Sequence, residues 1–330
     1  MSGKNKDQMT KDALTPSIDQ KKDKEAIITI VGFLGAGKTT LLKHLVNSYS
    51  KLGWDPFIIL NDYENADLDA QQFKNQLATK SIRALTGSCI CCSGIHVLRE
   101  FVNKIPTRQK GITLIEANGT TDACSLAGFL GTGLNDRFLS PIQLSVVDVK
   151  NWQKRGNHNE LEANQIQLSS LILLTHLNDS SHERQTEVKE DIKSINPTAK
   201  IIRLEELNPS QLTKLYPSNN EIKKLEHFKA HWSSCSVDLP ELPNKDSINT
   251  LCNYFPKNIL RIKGCVQICG EGGFTYFERT PDGEITIRPF NGIPPMGTKL
   301  LTIGLGSEQS LLNKLIKKTI EEFHLRTIKT

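Results

Sequence analysis

No stretch of this 330-residue chain is long and apolar enough to span a bilayer, so a membrane helix is not expected. Blocks of basic residues that track a nucleic-acid backbone are missing too. The formal net charge is only +5, and the lysines are scattered over helical stretches and the N-terminal tail. Residues 1–25 hold almost no large apolar side chains and are expected to be disordered. They lack the apolar core of a signal peptide, and their acidic residues speak against an organelle transit peptide. There is no internal repeat. With 38% hydrophobic and 23% charged residues, the chain has the balance of a globular protein, long enough for two domains. Three of its eight cysteines crowd into one tetrapeptide, which fits a reducing compartment. The expected location is the cytoplasm, with no membrane or nucleic-acid partner.

The strongest positive signal begins at Ile27. An apolar strand runs into Gly32-Phe33-Leu34-Gly35-Ala36-Gly37-Lys38-Thr39-Thr40, and a helical pattern follows at Leu41. This is G-x-x-x-x-G-K-[ST] in the strand–loop–helix setting that gives it meaning. Gly32, Gly35, Ala36 and Gly37 let backbone N–H groups approach a polyphosphate. Lys38 can then reach the β and γ oxygens, and the Thr39 hydroxyl can ligate Mg²⁺. The nucleotide-binding set is expected to run through Thr40.

Further strands are predicted at Phe57–Leu60, Ile112–Ile115, Ile142–Val149 and Leu171–Leu174, with a helix over 67–79. Short apolar strands alternating with amphipathic helices imply an α/β P-loop NTPase fold with a doubly wound, mostly parallel sheet. Ligands of such a sheet sit at the carboxyl ends of its strands. Near residue 220 the pattern changes to alternating, turn-separated segments at 259–269, 274–280 and 284–290, with Pro281-Asp282-Gly283 as a hairpin turn. A closing helix carries Leu311, Leu312, Leu315, Ile316, Ile320 and Phe323. The expected organisation is a tail over 1–25, a nucleotide-binding domain over 26–218 and a smaller, mostly antiparallel α+β domain over 219–330.

The second signal is Cys89-Ile90-Cys91-Cys92. Thiolates at this spacing can converge on one transition-metal ion, and three of them leave a tetrahedral site one ligand short, which suits a transfer site. A redox sensor or a chance grouping of thiols stays open beside that reading. Cys124, Cys235 and Cys252 read as inert thiols. Cys265 and Cys269 fall on one face of a predicted strand, about 13 Å apart and too far to share an ion. His227 and His231 stand one helical turn apart with no further ligand spaced to join them, so packing or solvation is the better reading.

Taken together, the GFLGAGKTT loop, the C-x-C-C cluster, Glu116-x-x-Gly119, Val146-Val147-Asp148, Asn196 to Ile202 and the R-x-K-G of Arg261 to Gly264 resemble the CobW-type P-loop GTPases. These are relatives of the hydrogenase and urease metal-insertion GTPases. The resemblance covers most of the chain and implies a metallochaperone or metal insertase that uses GTP with magnesium. It would carry zinc, with cobalt possible, on Cys89, Cys91 and Cys92 to a client metalloprotein. It implies catalytic roles for Lys38, Glu116 and Asp62, with Glu116 in the Walker B role, Asp62 in the first switch and the Gly119 N–H sensing the γ-phosphate. Ala117 and Asn118 stand where the family has two threonines. The base-recognition loop would be Thr175-His176-Leu177-Asn178, where the family has N-K-x-D. Asn178 has one carbonyl oxygen in place of the carboxylate that accepts two hydrogen bonds from guanine. Losing one charge-assisted bond costs about 1.5–3 kcal/mol. ATP therefore stays open as the nucleotide, as do a non-hydrolysing metal-binding or regulatory protein and an ATP-using P-loop enzyme such as a small-molecule kinase.

Overall fold

The computed structural model describes residues 24–61, 70–85, 94–218, 234–290, 292–294, 297–304 and 306–327. Its first half is a seven-stranded sheet in the order β3-β2-β4-β1-β5-β6-β7. The strands are β1 (Ala26–Val31), β2 (Asp55–Asn61), β3 (Ile82–Leu85), β4 (Gly111–Glu116), β5 (Ile142–Asp148), β6 (Leu171–Thr175) and β7 (Lys200–Arg203). Every pairing is parallel. β1 lies at the centre with all six residues buried, as a strand covered on both faces must be.

Alternation along the strands divides two cores. Ile28 and Ile30 pack with Leu41, Leu42, Leu45 and Val46 of helix α1 (Lys38–Lys51). Ile27 and Val31 face the opposite side, toward Leu98 and Val102 of α2 (Gly94–Lys104) and Leu126 and Leu130 of α3 (Ala123–Leu130). On that same side, Ile172 and Leu174 meet Ile166 of α4 (Asn159–Gln167) and Val188 and Ile192 of α5 (His182–Ile195). Helix α6 (Pro209–Leu212) returns to the α1 face through Leu212. The sheet is thus doubly wound, and each large buried aliphatic contributes about 1.5–3 kcal/mol.

A second sheet is antiparallel throughout, in the order β11-β10-β9-β12-β8. It comprises β8 (Ser234–Asp238), β9 (Ile259–Val266), β10 (Phe274–Arg279), β11 (Ile285–Phe290) and β12 (Lys299–Gly304). Helices α7 (Lys245–Tyr254) and α8 (Gln309–Thr327) cover one face, packing Leu251 and Leu312 over Ile262 and Phe277. Phe277 lies over Gly264 of the neighbouring strand, where an added Cβ would come within 2.2 Å of the ring.

Some expectations need correction. Of the helix expected over 67–79, the described part is helical only at residues 70 and 71 and then runs in turns, with i→i+3 bonds such as Phe73 N–H to Ala70 O. Among the described residues of that stretch Phe73 is the one fully buried apolar side chain, too little to hold an amphipathic helix in place. Cys265 and Cys269 do not share a strand, because β9 ends at Val266 and Cys269 is exposed. No helix among the described residues is long and apolar enough to cross a membrane.

Candidate nucleotide site

The turn from β1 into α1 is built by backbone that a side chain would block. Gly32 has φ 143, and a Cβ there would sit 2.4 Å from the carbonyl oxygen of Val146 on β5. Gly37 is left-handed with φ 100, and no side chain caps the N–H groups of α1. A 14-residue helix whose N-terminus has no side-chain cap and opens into this glycine-rich loop is suited to an anion. Below the loop, the guanidinium of Arg155 lies 4.9 Å from the Phe33 ring centre. Asp148, the aspartate of Val146-Val147-Asp148, and Glu162 hold that guanidinium at 3.0 and 3.3 Å. Burial pushes the Glu162 carboxyl up to about 7 against the pull of Arg155.

Beyond the carboxyl ends of β1, β2 and β4, one pocket is lined by Lys38, Asn61, Glu116, Asn118, Gly119 and, from the second sheet, Arg261. Lys38 is buried, its ammonium donating to the carbonyls of Gly32 at 2.9 Å and Phe33 at 3.1 Å. The Thr39 hydroxyl donates to Glu116 Oε1 at 2.8 Å. That places a hydroxyl from the first turn of α1 beside the carboxylate that ends β4, the hard oxygen donors that Mg²⁺ prefers. Asn118 accepts the Thr120 N–H at 3.0 Å through its side-chain carbonyl, while its buried Nδ2 has no hydrogen-bond partner among the described residues. A buried donor without an acceptor costs about 1–3 kcal/mol, which an oxygen-rich ligand in this pocket would relieve. Gly119 abuts the loop so closely that a Cβ would fall 2.7 Å from the backbone nitrogen of Leu34.

The base-recognition candidates lie on the other side of the loop. Thr175, the last residue of β6, donates its hydroxyl to Ala36 O at 2.9 Å. His176 takes up left-handed backbone with φ 54, and its ring nitrogen stands 3.4 Å from Gly35 O. Asn178 and Asp179 are exposed on the turn that follows, with Asp179 3.7 Å from His176. Thr40 is exposed in the first turn of α1. Asp62, Cys89, Cys91, Cys92, His227 and His231 lie outside the described residues. Among the described residues, no three His, Cys, Asp or Glu side chains are grouped to hold a metal ion. Burial raises the Cys124, Cys252 and Cys265 thiols to about 12, as inert cysteines require.

Two positions carry more than their sequence context signalled. Gln165 on α4 donates to the carbonyls of Gly119 at 2.9 Å and Thr121 at 3.2 Å, fixing the strand-end turn from behind. An amphipathic pattern marks such a residue only as polar on a helix. Arg261 was legible only as the first residue of a motif; its place in the pocket depends on how the second sheet packs.

A parallel sheet with β1 between β4 and β5, and a glycine-shaped phosphate loop at its carboxyl edge, defines a P-loop nucleotide-binding protein. The chain belongs to the CobW/HypB/UreG family, whose nucleotide-binding domain matches residues 26–203, more than half its length. It is 26% identical over 219 residues to the zinc-regulated GTPase metalloprotein activator 1 of Dictyostelium discoideum, covering 55% of this chain and 46% of that protein. It is 30% identical over 158 residues to the zinc chaperone YjiA of Escherichia coli, covering 46% of this chain and 48% of the relative. It therefore spans about half the length of these relatives. The crystal structure of Zn(II)-bound YjiA GTPase from E. coli aligns over 90% of this chain and 99% of that one, with 20% identity and a TM-score of 0.39.

Proposed function

We propose that this protein is a GTP-hydrolysing metal carrier of the cytoplasm, which takes a transition metal, zinc first, on Cys89, Cys91 and Cys92 and passes it to a client metalloprotein. The observation that carries the nucleotide half is the Thr39–Glu116 hydrogen bond in the pocket that Lys38 lines. In this reading Lys38 and the backbone N–H groups of residues 35–40 hold the β and γ phosphates, and the Gly119 N–H meets the γ-phosphate. Thr39 and Glu116 would hold the Mg²⁺, which when bound neutralises charge on the phosphates. Asp62, one residue past β2, would orient the attacking water. Thr175 secures the loop from the base side, and Asn178 faces the base. The metal half rests on the cysteine spacing and on the zinc named in both relatives. Cysteines between the first switch and the Walker B strand would feel the order of loops that a triphosphate pulls together.

The deciding experiment is steady-state phosphate release from GTP and, in parallel, ATP, each with and without one equivalent of Zn²⁺. GTP turnover that responds to zinc, and loses that response in Cys91→Ala, is the expected result. ATP turnover alone reassigns the base, and no turnover with either nucleotide leaves a binding protein.

A further inference from the structure

The strand β9 carries a charge into the pocket from the second sheet. Arg261 pairs in register with Ile303 of β12, so the two share a face. Ile303 packs against Phe33 and Leu34 of the phosphate loop, and Arg261 lines the pocket with Lys38, Glu116 and Gly119. The guanidinium is set from behind. Glu278 of β10 accepts from Arg261 Nε at 2.8 Å and from its terminal nitrogen at 2.6 Å, and also from the Tyr276 hydroxyl at 2.9 Å. Lys263 lies opposite Glu278 in the ladder and is buried. Glu278 thus sits beside two cationic side chains of the neighbouring strand. The sheet is pinned where it does this: Pro281 in the β10–β11 turn lies against Gly35 of the loop, and Asp282 pairs with Lys150 at 3.7 Å.

We propose that Arg261 is an arginine supplied in cis by the second sheet to the γ-phosphate, where it stabilises the charge that develops during hydrolysis. This rests on the triphosphate site proposed above. Water attacks the γ-phosphorus, the bond from that phosphorus to the β–γ bridging oxygen breaks, and the bridging oxygen leaves with the electron pair. GDP and inorganic phosphate result, the proton passing from the water to phosphate and solvent. A planar, pre-oriented guanidinium in a pocket of low dielectric is suited to that developing charge. Hydrolysis then requires the second sheet to be seated on the loop.

The alternative is an ion pair that merely staples β9 to β10, and a transition-state analogue separates the two. In the full-length protein, Arg261→Ala should lower kcat about tenfold or more. GDP affinity should stay within about twofold, and GDP with aluminium fluoride should no longer form the tight complex the parent forms. Parental kcat and parental fluoride trapping in Arg261→Ala would overturn the proposal. If that variant fails to fold, Arg261→Lys keeps the pair with Glu278 but not the fork. A parental melting temperature with reduced kcat supports the role, and parental kcat overturns it. Lys38→Ala is the separate control. If it hydrolyses GTP like the parent, the triphosphate site itself is wrong and the Arg261 role falls with it; if it is dead while Arg261→Ala is not, only the Arg261 role fails.

Discussion

Gly119 has almost no space of its own. A methyl group there would meet Leu34 Cδ2 at 2.5 Å and the Leu34 backbone nitrogen at 2.7 Å, and the second of these is loop backbone that cannot rotate away. Gly119→Ala is therefore expected to push the phosphate loop and the turn after β4 apart. The cost should be about 1–3 kcal/mol of stability, read by thermal melting, together with a loss of affinity in a fluorescent-nucleotide titration. A variant with parental melting and binding would mean that the turn simply retreats. Glu162, beneath the loop, adds a titration. Its carboxyl is raised from 4.5 to about 7, so the folded state binds the extra proton and this group's contribution to stability declines as pH rises between those values. Glu162→Gln should flatten the pH dependence of the melting temperature across that window, which a melting series from pH 4.5 to 7.5 checks.

Among the elements, α4 acts on the site without entering it, through the Gln165 amide that holds the Gly119 and Thr121 carbonyls. Gln165→Leu keeps the helix and strands two buried acceptors, for about 1–3 kcal/mol each at most. Amide exchange over residues 119–121 should accelerate while the β1 strand stays protected; equal protection in parent and variant would remove α4 from the positioning of this turn. Elements were legible in proportion to how much of their own pattern held them. β1, β4 and α1 are long, apolar or strictly periodic, and the loop between β1 and α1 states its geometry in its glycines. β3 and β7 are four-residue edge strands with partly exposed side chains, so tertiary pairing rather than sequence makes them strands. β8, α7 and β12 are short segments completed by partners distant in sequence, so local pattern alone does not mark them. Lys38, Glu116 and Gly119, which line the pocket, stand in motifs that the sequence displays. The Arg261 contribution was not legible, because no local spacing relates residue 261 to residue 38.

For the molecule as a whole, the second sheet is held together by charge as well as by packing. Burial alone would raise the Glu278 carboxyl, but Arg261 and Lys263 outweigh it and lower it from 4.5 to about 2. A depressed carboxylate contributes stability above its unfolded value and loses it as pH falls toward the folded one. Glu278→Gln takes a carboxylate away from the buried Lys263 and the partly buried Arg261, so it should melt well below the parent at pH 7. The gap should close as pH falls from about 4.5 to about 2; a gap constant across that range would mean that the carboxylate is not what the second sheet depends on.

The packing of Phe33 and Leu34 has a practical consequence. Both side chains are buried, and they share a cluster with Leu161 on one side and with Leu260 and Ile303 on the other. A polypeptide cut after residue 218 would keep the entire phosphate loop yet uncover one side of its two largest apolar residues, at up to about 1.5–3 kcal/mol each. Such a fragment would be sticky at the place where it should bind nucleotide, and its affinity would report on a damaged loop. The phosphate-binding half of this protein is thus a poor candidate for transplantation, although its motif is the most portable-looking part of the sequence.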